Sequence, residues 1–211
     1  MRPVWVIVVG AGSGNRFGGP KQYQRLGDRR VIDHAVDQAL ACGDGVVAVV
    51  HPDDVDEQRE LLDATAVVAG GASRSASVLA GLAAVPDEAA VILVHDAARP
   101  LAGAALFRTV IAAVAAGADG VVPVVPVTDT IRRVDGGTVD RSTLVAVQTP
   151  QGFRADVLRS AHAAGAQATD DATLVEAAGG SVTTVEGHPA NLKITEPADL
   201  LVAEALLEGH R

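Results

Sequence analysis

Hydrophobic positions along the chain cluster in short β-branched runs at Val4–Val9, Val46–Val50, Ala66–Val68, Val91–Val94 and Val121–Val124, without polar alternation inside them. Strands of that kind are covered on both faces. Between the runs, Ala- and Leu-rich stretches carry apolar residues at helical spacing, at Val31–Leu40, Ser75–Ala84 and Ala104–Ala115. The alternation predicts an α/β fold, a mostly parallel, Rossmann-like twisted sheet with helices on both faces and right-handed crossovers. After Val124 the pattern changes: PVTDTIRRVDGGTVDRSTLVAVQTP alternates polar and apolar residues around Asp135-Gly136-Gly137 and predicts a projecting β-hairpin arm at about 126–148. An isolated hairpin is marginal in water, so the arm is expected to pack on a second subunit and make a homodimer. Helices are expected at Ala155–Ala164 and Ala172–Ala178, a strand at Val182–Val185, and a last helix at Glu196–Glu208 with Thr195 as its N-cap.

At 211 residues and 48% hydrophobic content, the chain is expected to form one domain, 1–211, with no trailing second domain. The run Val4–Val9 is too short to cross a bilayer and leads straight into a glycine loop, so a cytoplasmic protein is expected. A net charge of -9 and an aromatic content of 2% argue against nucleic acid and anionic membranes as partners, because both demand a basic face. A phosphorylated small molecule needs only a few cations. The single cysteine, Cys42, reads as an apolar filler at a helix end.

Candidate chemistry begins in VVGAGSGNRFGGPKQYQRLG, from Val8 to Gly27. A dinucleotide fingerprint needs a third glycine where Asn15 stands and an acid at the end of the next strand, which instead closes on His51-Pro52. A phosphate loop of the Walker type needs Ser or Thr after its lysine, yet Lys21 precedes Gln22. There remains a loop whose backbone N–H groups approach phosphate oxygens, with Arg16 and Lys21 supplying charge. Lys21 and Lys193 are the only lysines in a chain otherwise rich in arginine, and a lysine suits a site that wants a compact point charge. In VILVHDAARP, Asp96 follows the fourth apolar run, where it could hold Mg²⁺ with Arg99 as a counter-charge, whereas His95 reads as a packed strand-end histidine.

Taken together, GSGNR with PKQY, GGASRSASVLAGL, HDAARP, Asp129-Thr130, AVQTPQGF, TDDATLVE and NLKIT stand in an order that resembles the 2-C-methyl-D-erythritol 4-phosphate cytidylyltransferases over nearly the whole chain. The ribitol 5-phosphate cytidylyltransferases share much of this set. The resemblance implies a nucleotidyltransferase fold, CTP and a phosphorylated polyol as substrates, and Mg²⁺ as cofactor. It implies that Ala11, Gly12, Ser13, Gly14, Arg16 and Lys21 hold the triphosphate, that Gly71, Arg74 and Ser77 lie beside the cytosine, and that Ala97 lines the nucleotide pocket. Asp96 and Arg99 would lie where the two substrates meet, with Thr130 near the polyol hydroxyls. Arg141, reaching from a partner's arm, and Lys193 would grip the acceptor phosphate, with Thr149 and Thr169 completing that pocket. The resemblance makes Arg16, Lys21, Arg141 and Lys193 the catalytic set. Val9-Gly10-Ala11 replaces the family's Pro-Ala-Ala, and Gly10 is expected to loosen the loop.

Overall fold

Along β1 (Val4–Val9) consecutive side chains enter different cores: Val6 and Val8 pack on one face of the sheet and Ile7 on the other. The computed structural model describes residues 3–163, 165 and 168–209. The elements continue with β2 (Arg25–Leu26), β3 (Arg29–Arg30), α1 (Val31–Leu40), β4 (Gly45–Val50), α2 (Val55–Leu61), β5 (Ala66–Ala69), α3 (Arg74–Ala83), β6 (Val91–Asp96) and α4 (Gly103–Ala115). They are followed by β7 (Gly120–Pro126), β8 (Ile131–Arg132), β9 (Thr138–Val139), β10 (Val145–Val147), β11 (Gln151–Arg154), α5 (Ala155–Ala163), α6 (Asp171–Ala177), β12 (Val182–Glu186) and α7 (Pro197–Glu208).

One eight-stranded sheet runs through β7-β11-β6-β1-β4-β5, with β10 and β12 also on β7. The pairs β1/β4, β1/β6 and β4/β5 are parallel, as the unbroken apolar runs predict, and the more polar β12 also pairs parallel with β7. The α1 and α4 helices cover one face; α3, α5 and α6 cover the other. On α4 the stripe Phe107, Val110 and Val114 enters the first core, and burying Phe107 alone contributes roughly 2–3 kcal/mol. A third cluster, Leu26, Val31, Ile194 and Ala203 with Phe17, Leu192 and Leu200, ties α7 to the segment after the glycine loop. It brackets Lys21 and Lys193 in sequence and begins at Phe17, directly after Arg16, and so sets where those cations emerge.

Beyond β2, β3 and α2, which have no counterpart among the expected elements, the structure departs from the sequence expectations at four points. The short strand β11 has no counterpart among the expected strands; it pairs antiparallel with both β6 and β7, so the sheet is mixed. QGFR is too short to carry a periodic signal, and its pairing depends on neighbours far along the chain. Asp96 is the last residue of β6, paired with Val9, and does not follow the strand. Glu196, not Thr195, caps α7: Asp199 accepts from the backbone N–H groups of Thr195 (2.7 Å) and Glu196 (2.8 Å), and Pro197 takes the first helical position. The Thr195 hydroxyl donates instead to the Lys193 carbonyl at 3.1 Å. Gly10 is pinned, because its N–H donates to the Val49 carbonyl at 2.7 Å and a Cβ there would stand 3.2 Å from Ala97 Cβ and Ile32 Cδ1. Of the helix expected at Ala155–Ala164, the last residue lies outside the described residues.

The arm has its predicted turn. Ile131 pairs with Val139 and Arg132 with Thr138 around Gly136 and Gly137, whose φ angles of 114° and 81° suit glycine. The return strand β10 pairs antiparallel with the end of β7, and Val134, Val145 and Val147 are exposed. Cys42, half-buried just past α1, sits where a filler was expected, with its thiol pushed up by burial. No helix among the described residues is long and apolar enough to cross a membrane.

Candidate active site

The carboxyl ends of β1 and β6, the glycine loop, the start of α3 and the segment before α7 enclose a cleft of about 470 Å³. Ligands bind at this end of parallel sheets because the loops diverge there. Of the residues singled out from sequence, Ala11, Gly12, Ser13, Lys21, Gly71, Arg74, Ser77, Asp96, Ala97 and Lys193 line it.

The glycine loop does not open a helix. It folds back at Gly14 (φ 69°), whose carbonyl accepts from the N–H groups of Phe17, Gly18 and Gly19 at 2.9, 3.0 and 3.3 Å. A Cβ at Gly14 would stand 1.8 Å from the Gly19 carbonyl oxygen, so only glycine closes this turn. A dinucleotide site needs a helix N-terminus at this point, and this geometry removes that reading. The chain then enters a single helical turn, Lys21–Tyr23, anchored by buried Gln22, which donates to the Gly12 carbonyl at 3.2 Å, and by the Tyr23 hydroxyl, which donates to Asp54 at 2.8 Å. Lys21 is thereby aimed into the cleft. Arg16 is exposed beyond its lining, yet close enough that its charge acts on Lys21. Burial first, then the like charges of Lys193 and Arg16, hold the Lys21 ammonium below its usual value. Cations crowded in this way favour an anion among them.

Asp96 gathers positive charge from three directions. Its carboxylate accepts from Lys193 at 2.6 Å and lies 3.8 Å from Arg74 Nε and 4.0 Å from Arg99 Nε. Burial alone would raise its pKa, but Lys193, Arg74 and Arg99 outweigh it and hold the carboxyl below its usual value. Arg74 reaches the other way to buried Asp171 at 2.7 Å, which also meets His162 at 2.9 Å. Ser77 is buried; its hydroxyl donates to the Ser73 carbonyl (2.9 Å) and accepts from the Gly71 N–H (3.1 Å), shaping the cleft wall.

Other sequence candidates lie elsewhere. Arg99 donates to the carbonyls of Asn191 (2.7 Å) and Val147 (3.3 Å), tying the base of the arm to the segment that bears Lys193. Thr149 is buried under Asp96, where its hydroxyl accepts from the Asp96 N–H at 3.0 Å and bonds His95 Nδ1 at 3.0 Å. Thr130 and Thr169 are exposed outside the cleft lining, as is Arg141, which donates to the Thr128 carbonyl and lines a separate depression beside Pro126 and Val127. His95 is fully buried, as expected of a packed histidine, with its ring 5.0 Å from that of Phe107 and tilted 58° to it. Sequence reasoning passed over Gln22, His51 and Ser73 in the lining, and Gln148 and Asn191 beneath it. Gln22, Gln148 and Asn191 stand inside the motifs PKQY, AVQTPQGF and NLKIT, which was their only signal.

Among the described residues, Asp96 is the one carboxylate of the cleft lining, and no cluster of three or more His, Cys, Asp or Glu could hold a metal. Mg²⁺ takes one or two carboxylates and completes its shell with phosphate oxygens and water, so this donor set fits Mg²⁺ arriving with a nucleotide.

The IspD family model, 2-C-methyl-D-erythritol 4-phosphate cytidylyltransferase, matches residues 4–209. A protein of that name from Nocardia farcinica is 47% identical over 217 residues, covering 97% of this chain and 94% of the relative. One from Rhodococcus opacus is 48% identical, covering 98% and 96%. The crystal structure of 2-C-methyl-D-erythritol 4-phosphate cytidylyltransferase from Thermus thermophilus superposes with a TM-score of 0.82 at 35% identity, covering 99% of this chain and 100% of that one.

Proposed function

The chain belongs to the 2-C-methyl-D-erythritol 4-phosphate cytidylyltransferase family, and from that premise we propose how the residues of its cleft divide the work. Its activity is the joining of CTP and 2-C-methyl-D-erythritol 4-phosphate, giving the CDP-linked methylerythritol and pyrophosphate in the pathway to isoprenoids. The names of the relatives do not favour ribitol 5-phosphate as acceptor.

The acceptor phosphate, with a second pKa of about 6, is largely dianionic at neutral pH and needs no general base. One of its oxygens attacks the α-phosphorus in line. The new P–O bond forms as the bond to the bridging oxygen breaks, and that electron pair leaves with pyrophosphate. Catalysis then consists of bringing two anions together and neutralising the charge that develops. The observation that carries this reading is the convergence of Lys21 and Lys193, the chain's only lysines, on one cleft beside Asp96.

Backbone N–H groups from Ala11 to Gly14 wrap the triphosphate of CTP, and Arg16 and Lys21 neutralise the α-phosphate and the leaving pyrophosphate. Gly71, Arg74 and Ser77 line the cytosine side, with Ala97 beneath. Lys193 turns from Asp96 toward the acceptor phosphate as it binds. Asp96 would hold Mg²⁺, which when bound supplies Lewis-acid neutralisation of phosphate oxygens. Arg141 lies outside the cleft of its own chain, and the exposed Val134, Val145 and Val147 give the arm an apolar surface. Both features support a homodimer in which the arm carries Arg141 to the partner's acceptor phosphate, with Thr130 near the polyol hydroxyls. Thr169 takes a place at the rim of that pocket.

The test is pyrophosphate release by the purified protein with Mg²⁺, each nucleoside triphosphate being paired with methylerythritol 4-phosphate and with ribitol 5-phosphate. Release with CTP and methylerythritol phosphate alone is expected. Release with ribitol phosphate alone would overturn the acceptor.

A further inference from the structure

The segment that carries Lys193, from Gly187 to Glu196, is neither helix nor strand, so no backbone ladder fixes its shape. Besides the Asn191 N–H, which donates to the His188 carbonyl at 2.9 Å, and Arg99, which donates to the Asn191 carbonyl at 2.7 Å, its turn is held by one buried side-chain amide. Gln148 donates through Nε2 to the carbonyls of His188 (2.9 Å) and Asn191 (3.3 Å), and its Oε1 accepts from the His188 N–H and from Asn191 Nδ2, both at 3.1 Å. Both donors and both acceptor positions of the side chain thus serve the same four-residue turn. Asn191, fully buried, passes the connection on by donating to the Thr149 carbonyl at 2.9 Å. Gly187 approaches so closely that a Cβ there would stand 2.6 Å from Gln148 Oε1. Beyond Lys193 the chain is pinned again, where the Ile194 N–H donates to the Ala98 carbonyl at 2.8 Å. Lys193 is therefore suspended between two fixed points, and Gln148 supplies the first. Gln148 also directly follows β10, the return strand of the arm, so the same amide relates the root of the arm to Lys193.

We propose that Gln148 is a positioning residue for the acceptor phosphate, fixing Lys193 by clamping the turn from His188 to Asn191. It does not line the cleft and acts only through the segment it holds. The inference rests on the reading that Lys193 meets the acceptor phosphate.

The experiment is steady-state kinetics of Gln148→Met, which keeps the volume and loses every hydrogen bond, alone and combined with Lys193→Ala. The expected result is a rise of about tenfold in the KM for methylerythritol 4-phosphate, with the KM for CTP within about twofold. In the Lys193→Ala background the same substitution should add nothing, because the group it positions is gone. Equal rises in both KM values, or full additivity with Lys193→Ala, would overturn the proposal. If Lys193→Ala alone leaves the acceptor KM unchanged, the reading of Lys193 falls and takes the proposal with it. A rise for Lys193→Ala with none for Gln148→Met sinks the proposal alone. Should Gln148→Met fail to fold, Gly187→Ala presses on the clamp from the other side and must give the same selective rise; an unchanged acceptor KM there refutes the proposal.

Discussion

Lys193 Nζ lies 2.6 Å from Asp96 Oδ2, joining residues 97 positions apart across the mouth of the cleft. The lysine side chain is 40% exposed and the aspartate 13%, so the cation is held at the opening by an acid rooted in the sheet. Before substrate binds, Asp96 offsets the repulsion among Lys193, Arg74 and Arg99. A phosphate dianion entering the cleft can draw Lys193 away, leaving Arg74 and Arg99 beside Asp96.

Replacing Lys193 with Ala is therefore expected to act on the acceptor. The KM for methylerythritol 4-phosphate should rise by about ten- to a hundredfold, the loss of one charge-assisted hydrogen bond to phosphate, while kcat changes less. Initial rates at saturating CTP check this, and an unchanged acceptor KM refutes it.

Lys21→Ala is expected to act on the chemical step. Charge on the leaving pyrophosphate grows in the transition state, so kcat should fall by about a hundredfold with a smaller change in the KM for CTP. Single-turnover measurement separates chemistry from release, and an unaltered kcat contradicts the role.

If the arm serves the partner subunit, Arg141→Ala and Lys21→Ala chains complement each other. Each is expected to be nearly inactive alone. A heterodimer contains one site with both native residues, so an equal mixture, unfolded and refolded together, should regain about a quarter of native activity. Activity no greater than the sum of the separate variants would place Arg141 outside the partner's site.

His95 links stability to pH. Its Nε2–H donates to the Arg99 carbonyl at 3.1 Å, and Nδ1 accepts from the Thr149 hydroxyl at 3.0 Å, a pattern that needs the neutral ring. Burial pushes its pKa down to about 4. Between that value and the unfolded value of about 6.5 the unfolded chain binds more protons, so stability falls as pH drops through this window, by up to about 3 kcal/mol. Urea unfolding across this range should show the loss, and His95→Gln should flatten that part of the profile. A native profile already flat there refutes the assignment.

Much of this molecule was legible along the chain. The apolar runs named β1, β4, β5, β6 and β7 because a strand covered on both faces cannot hide its composition, and Asp135-Gly136-Gly137 named the arm's turn because positive φ selects glycine. The motifs named the cations of the cleft, since phosphate demands positive charge and this chain places few lysines. Gln148 and Asn191 escaped mechanistic reading because an amide has no meaning until its partners are known, and those partners lie 40 to 43 residues away.

Local sequence determined periodicity, turn chemistry and the inventory of charge, which depend on residues a few positions apart. Only the tertiary structure decided that β11 enters the sheet antiparallel, and that Lys193 rests on Asp96 while Arg99 is tied to backbone carbonyls. Each of those outcomes is a competition among donors, acceptors and strand edges brought together by packing. The winner depends on distances that no local pattern contains.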